Sequence, residues 1–163
     1  MIRQFFPSTD ESDFAFLLPA YLNLVNAPDT LKFLSYTGMP FTESQVSVWF
    51  RSHTDAGIDY YADIDPTTGI QGIVTVKANS LTGFELLGLV VDPYQRRNGI
   101  GKNLVKYILT VAANRGYKAV DVNVFADNLP MLRLVMGHGF IPVSMSHHAR
   151  FDGADVVVLK CYL

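Results

Sequence analysis

A chain of 163 residues, 49% apolar and 17% charged, has the length of one domain and enough apolar surface to bury a core without staples. Its formal charge of −2 lacks the basic footprint a phosphate backbone demands, which argues against a nucleic-acid partner. A single cysteine, Cys161, rules out an intramolecular disulfide or a cysteine-based zinc site. No run of about 18 apolar residues and no apolar leader behind Met1 is present, so the sequence predicts a cytoplasmic protein with no membrane partner.

Residues 2–6 read as a first strand. Ser8 and Glu11 fit a capping box that opens a helix carrying Phe14, Leu17, Leu18, Tyr21, Leu22 and Val25 at helical spacing; Pro19 inside it predicts a kink or a break. A connection at 27–41 contains Pro28, Gly38 and Pro40. A second capping box, Thr42-x-x-Gln45, opens a helix that turns Val46, Trp49 and Phe50 inward, with Gly57 expected to end it.

Strands at 58–64, 70–78 and 84–91 are separated by short turns, which implies an antiparallel meander. The last of them is nearly all apolar and is predicted to be buried on both faces. A helix from about Gly99 to Asn114 carries an apolar stripe from Ile100 to Ala112 and closes at Gly116. A strand at 118–125 follows, and then a short helix with Asp127 or Asn128 as its cap and Pro130 in its first turn. Residues 139–145 and 154–162 read as the last strands, with Cys161 a buried strand residue. The order βααβββαβαββ contains one strand–helix–strand unit, so the fold class is α/β: a mixed sheet with one parallel pair in a single domain spanning 1–163.

The segment between that strand and its helix is Asp92-Pro93-Tyr94-Gln95-Arg96-Arg97-Asn98-Gly99-Ile100-Gly101-Lys102. Two arginines, a lysine and two glycines at the start of a helix suit a phosphate, because the first-turn N–H groups are unpaired and sit at the positive end of the helix dipole. No Gly-Lys-Ser or Gly-Lys-Thr follows, which excludes a Walker loop, and the third glycine of a Rossmann turn is missing. Adjacent His147 and His148 point to opposite faces if they lie in a strand, and no third ligand has suitable spacing, so no metal site is expected.

Arg96-x-x-Gly99-x-Gly101 after Leu89-Val90-Val91-Asp92-Pro93, followed by Asn128 and then Gly139-Phe140, resembles the GCN5-related N-acetyltransferase (GNAT) superfamily. The motifs cover residues 84–145; the first 80 residues match in element order. The resemblance implies an acetyl-CoA-dependent acyltransferase that acetylates a primary amine of a small molecule or a protein by direct transfer. It also implies main-chain pairing of Leu89, Val90 and Val91 with the pantetheine arm, and a diphosphate held by Arg96, Arg97, Asn98, Gly99, Ile100, Gly101 and Lys102. Asn128 would lie near the pantetheine, a main-chain N–H near Val91 would meet the carbonyl oxygen, and a homodimer is possible for this class.

The transfer needs a neutral amine, hence a base. Glu85, the only acidic residue in 84–91, resembles the base glutamate of histone-type members; the alternative is an acidic residue at a solvent-facing strand start. Asn123 stands where ribosomal-protein acetyltransferases look to have a glutamate, and as an amide it takes no proton. The tyrosine that many members use as general acid is replaced by Val135, with Tyr94, His138 and Tyr60 left as substitutes. That replacement also keeps open a non-catalytic acetyl-CoA-binding module. By resemblance, the acceptor lies between 27–41, with Phe33, Tyr36 and Phe41, and 146–153, with His147, His148, Arg150 and Asp152.

Overall fold

Apolar residues at a period of two build seven strands: β1 (Ile2–Phe5), β2 (Ile58–Asp65), β3 (Gly69–Asn79), β4 (Gly83–Val91), β5 (Ala119–Phe125), β6 (Ile141–Ser146) and β7 (Val156–Tyr162). They form one sheet in the order β1-β2-β3-β4-β5-β7-β6. Only β4 and β5 run parallel; every other neighbouring pair is antiparallel. These observations come from a computed structural model that describes residues 1–52, 55–81 and 83–163.

Helices α1 (Glu11–Val25) and α3 (Glu43–Ser52) cover one face of the sheet. There Leu17, Val46, Phe50, Tyr60, Ile73 and Val90 share a core. Helices α4 (Ile100–Asn114) and α5 (Leu129–Met136) cover the other face. There Tyr61, Val74, Phe84, Leu104, Val122 and Val135 pack together. Burying one apolar face of each element against the sheet from both sides is the layered solution expected for such elements. Among the described residues, no helix is long and apolar enough to cross a membrane.

The structure refines several expectations. A one-turn helix, α2 (Pro28–Leu31), adds an element within the 27–41 connection. The cap of α1 is Asp10, not Ser8: its carboxylate accepts from the N–H groups of Ser12 and Asp13, while the N–H groups of Thr9 and Asp10 still turn back to the carbonyl of Phe6. Helix α1 runs through Pro19 unbroken. Pro19 and Ala15, whose carbonyl loses its donor, both lie on the exposed face, where water can satisfy that carbonyl.

The described part of α3 stops at Ser52, and Gly57 instead accepts from the N–H of Ala78 at the entry to β2. Gly116 does close α4: with φ near +83° it donates to Ala113, and Tyr117 donates to Ala112, the paired bonds of a Schellman ending. Cys161 is buried in β7, as expected.

Strand β4 departs most from the expectation. It is half-open rather than buried on both faces, and Leu87 is 40% exposed. The register against β3 pairs Leu86 with Val76 and Gly88 with Thr75, so Leu87 is an extra, bulged residue. A bulge inverts the alternation of side chains downstream. Phe84 and Leu86 therefore face α4, whereas Val90 faces α1 and α3.

Candidate active site

The parallel contact between β4 and β5 lasts for only three pairs, Phe84–Val120, Glu85–Asp121 and Leu86–Val122. Beyond them the strands part, and a wedge-shaped cleft of about 170 Å³ opens between Gly88 and Leu89 on one side and Val124 and Phe125 on the other. From Leu87 onward β4 has a partner only on its β3 side. The N–H of Asp92 donates to the Gln71 carbonyl in β3, and backbone groups alternate sides along a strand. The polar groups of Leu89 and Val91 accordingly face the wedge, and those of Val90 face β3. The Val90 side chain is buried in the core under α1, so Val90 offers the cleft neither backbone nor side chain.

Past Val91 a short 3-10 turn at Pro93–Gln95 leads to α4. Arg97 and Gly99 both have positive φ, 67° and 80°, and Gly99 caps α4 with no side-chain hydrogen bond. The first helical bond runs from Asn103 to the Gly99 carbonyl at 2.9 Å. The N–H groups of Ile100, Gly101 and Lys102 thus lie ahead of the helical ladder, at its positive end. Arg97, Asn98 and Lys102 are exposed beside them.

Arg96 is engaged elsewhere. It donates to Thr30 Oγ1 at 3.1 Å and lies 3.6 Å from Asp29 Oδ2, bracing the turn against α2. The two glycines serve different needs. A Cβ on Gly99 would meet open space, so its conformation is what requires glycine. A Cβ on Gly101 would lie 3.3 Å from Leu134 Cδ2 and 3.7 Å from Leu89 Cδ2, so Gly101 lets α4 settle onto β4 and α5. Ile100 is a core side chain and can offer only its N–H.

Glu85 and Asn123 come together at the narrow end of the wedge, where the Asn123 amide donates to Glu85 Oε1 at 3.0 Å. Burial pushes the Glu85 carboxyl above its usual range. Lys77 pulls it down, Asp121 pushes it up, and the Asn123 hydrogen bond pulls it down, each less than burial does. Asn123, an amide that takes no proton, therefore holds the Glu85 carboxylate in place. Sequence reasoning missed this partnership, although residues 85 and 123 lie diagonally across a parallel pair. Asn128 resolves the cap of α5: its Oδ1 accepts from the N–H of Met131 at 3.2 Å, and the residue lines the cleft.

The sequence profile of the acetyltransferase (GNAT) family matches residues 31–140. The chain belongs to this family. Similar to this GNAT chain is YwnH of Bacillus subtilis (strain 168), assigned as a phosphinothricin acetyltransferase; it is 23% identical over 127 residues, 76% of this chain and 77% of YwnH. Among solved structures, the ribosomal-protein-alanine N-acetyltransferase of Brucella melitensis superposes with a TM-score of 0.79 at 18% identity, covering 100% of this chain and 99% of that one. A NatC complex solved with a Gag peptide and CoA superposes with a TM-score of 0.74 at 16% identity, covering 100% of this chain and 98% of that one.

The substitutes for the missing GNAT tyrosine do not gather in the cleft. Val135 is fully buried in the core under α4. Tyr94 is 94% exposed on the 3-10 turn. Tyr60 is buried beside Tyr21 and Phe50, and burial drives its phenol far above the usual range. His138 is held at the end of α5, its Nδ1 2.8 Å from the Leu134 carbonyl. Among the described residues lining the cleft, the one hydroxyl is that of Tyr36. Its ring packs on Phe125 at 4.9 Å, and its phenol is pushed up by burial first and by the Glu85 charge second.

The loop between β6 and β7 closes over this region through Arg150, whose side chain is 2% exposed. Arg150 forks to Asp127 at 2.6 and 3.1 Å and to Asp152 at 2.8 and 3.0 Å, donates to the Lys32 carbonyl at 3.1 Å, and sits over the Phe125 ring. Phe151 donates from its N–H to the Tyr36 carbonyl at 2.9 Å. Arg150 is thus a clasp joining three segments around the cleft rather than an acceptor ligand. His147 and His148 form a loop pair whose neighbours are Asp155 and Gly153.

The guanidinium holds the Asp152 carboxyl down to about 2. A depressed carboxyl stabilises the fold above its unfolded pKa of roughly 3.9 and loses that contribution as pH falls through the folded value. The clasp is therefore intact at neutral pH. Arg150→Met should cost about 3 kcal/mol, the low end for a broken buried pair, because both carboxylates can hydrate. Thermal unfolding should show a Tm lower by about 10 °C; a change under about 2 °C would remove the clasp role.

Proposed function

We propose that this GNAT protein catalyses direct transfer of an acetyl group from acetyl-CoA to a primary amine. The observation that carries this reading is the wedge itself: an unpaired β4 edge begins beside Glu85 and ends at bare helix N–H groups. An extended arm with amide groups can pair with Leu89 and Val91 as an added strand would. A diphosphate can seat against the N–H groups of residues 97–102, with Arg97 and Lys102 adding charge. Asn128 lies along the arm, and Arg96 and Ile100 shape the turn.

Acetyl-CoA supplies a thioester carbonyl: the amine lone pair forms the C–N bond, the C–S bond breaks, and the sulfur keeps the electron pair. Glu85, held by Asn123, takes the proton the amine must lose, directly or through one water. A β4 N–H facing the wedge, that of Leu89 or Val91, donates to the carbonyl oxygen as charge develops on it. Tyr36 supplies the proton that the departing thiolate takes up. A raised carboxyl pKa suits Glu85 to this task, since a base is most effective when its pKa lies near the working pH.

Calorimetry with acetyl-CoA, followed by thiol release with a panel of amines, tests this reading. One-to-one binding with amine-dependent thiol release is the expected result. Val135 in the core gives a second reading a specific basis, a module that binds acetyl-CoA without turnover. Tight binding with no release for any amine would establish that reading; absence of binding would end both.

A further inference from the structure

Under α1 and α3, on the face of β4 to which Glu85, Gly88 and Val90 turn, lies a second chamber, of about 320 Å³, at the lower end of the range for small-molecule sites. Among the described residues lining it, none is charged. Tyr21, Phe41 and Trp49 give it aromatic walls, and Thr75 contributes a hydroxyl that bonds to the Tyr21 phenol. Phe41 and Trp49 meet edge-on at 5.5 Å. The chamber shares Leu34, Leu87 and Gly88 with the wedge, so the two adjoin at the β4 bulge. At Gly88 an added Cβ would touch only Leu34, at 3.8 Å. The two cavities meet there, three residues along β4 from Glu85.

Resting on the acetyl-transfer reading above, we infer that the acceptor is a primary amine with an uncharged, apolar body about the size of one aromatic ring. The body sits among Tyr21, Phe41 and Trp49. The amine points past Gly88 toward Glu85, forms the C–N bond there and gives up its proton to the carboxylate, while CoA departs as the thiol. A second charge on the acceptor, whether the carboxylate of an amino acid or the extra ammonium of a polyamine, finds no partner in these walls and stays in water. Aromatic walls favour an aromatic body through edge-to-face contact. The Tyr21–Thr75 hydroxyl pair gives the chamber a polar spot that a saturated acyl tail from the donor would leave unused.

Trp49 is the only tryptophan in the chain, so its emission reports occupancy of the chamber. Titration of the CoA-loaded protein with 2-phenylethylamine should change that emission saturably, and more tightly as pH rises and the neutral amine becomes more abundant. In turnover, kcat/KM for 2-phenylethylamine should exceed that for spermidine, glutamate or a tripeptide by roughly a hundredfold. Phe41→Ala should raise the KM for 2-phenylethylamine about tenfold, Phe41→Tyr should restore it, and acetyl-CoA affinity should stay unchanged as the check on folding.

Preference for spermidine, glutamate or the tripeptide with acetyl-CoA still bound and turned over would overturn the acceptor class and leave acetyl transfer standing. A Trp49 response to hexanoyl-CoA and none to the amine would assign the chamber to the donor's acyl chain and overturn it equally. Failure to bind acetyl-CoA would remove both readings together.

Discussion

Replacement of Glu85 by Gln should lower kcat by about two to four orders of magnitude, the span that a positioned general base contributes. The affinity for acetyl-CoA should stay within about twofold, because the amide keeps the size of the carboxylate and still accepts from Asn123 through its Oε1. The pH profile separates chemistry from structure. In the native protein the carboxyl is raised, so the rate should fall on the acid side at a pH above the ordinary glutamate range, about tenfold per unit, as the base becomes protonated. In Glu85→Gln that limb should vanish, leaving only the slope set by the amine's own ionisation. Tyr36→Phe should leave the acid limb in place and remove the alkaline one, since Tyr36 donates its proton only while it still holds it, and its phenol is raised. An acid limb that survives in Glu85→Gln would make Glu85 a strand residue and nothing more.

Legibility of this chain divides by physical cause. Elements and order were readable because burial imposes periodicity: the stripe from Ile100 to Ala112 and the Gly116 ending appear as the sequence implies. The turn at 96–102 was readable because glycine and charge are local signals. What was not readable depends on contacts between distant residues. Ser8 fits a capping box, yet Asp10 takes the cap because the chain is still turning at Thr9 and Asp10. The apolar run of β4 implied two buried faces, yet the bulge at Leu87 and the departure of β5 leave it open. The Arg150 clasp joins residues 23 and 118 positions apart in sequence, and no local pattern announces it. Nor does spacing disclose that Arg96, the first residue of the motif, braces α2 rather than standing free over the turn.

Both cavities also follow from the β4 bulge. Strand β5 parts from β4 just where the bulge begins, after Leu86, and that opens the wedge. The inverted alternation directs Gly88 and Val90, rather than larger side chains, toward α1 and α3, and that leaves room for the second chamber. A flat, fully paired β4 would close one cleft and fill the other. On the reading proposed above, the donor arm lies along the open edge of β4 and the acceptor body on the face that carries Glu85, and the two meet at the bulge, which is the arrangement that direct transfer without a covalent enzyme intermediate requires.

Gly101→Glu should weaken acetyl-CoA binding about a hundredfold, about 2.7 kcal/mol by calorimetry. Position 101 lies in the first turn of α4, among N–H groups that have no helical partner. A carboxylate there competes with the diphosphate for the positive end of the helix and repels it. The same charge favours helix formation at that position, so loss of binding does not reduce to loss of fold. Packing acts separately: the new Cβ must displace Leu134, now 3.3 Å from its ideal place, at a cost of roughly 1–2 kcal/mol in stability. Gly101→Ala isolates that contribution, since it carries the Cβ without the charge. It should lower Tm by a few degrees and change the dissociation constant less than about tenfold. If Gly101→Glu and Gly101→Ala bind acetyl-CoA equally well, the diphosphate does not seat at this turn, and the assignment of residues 97–102 falls while the Glu85 result stands on its own.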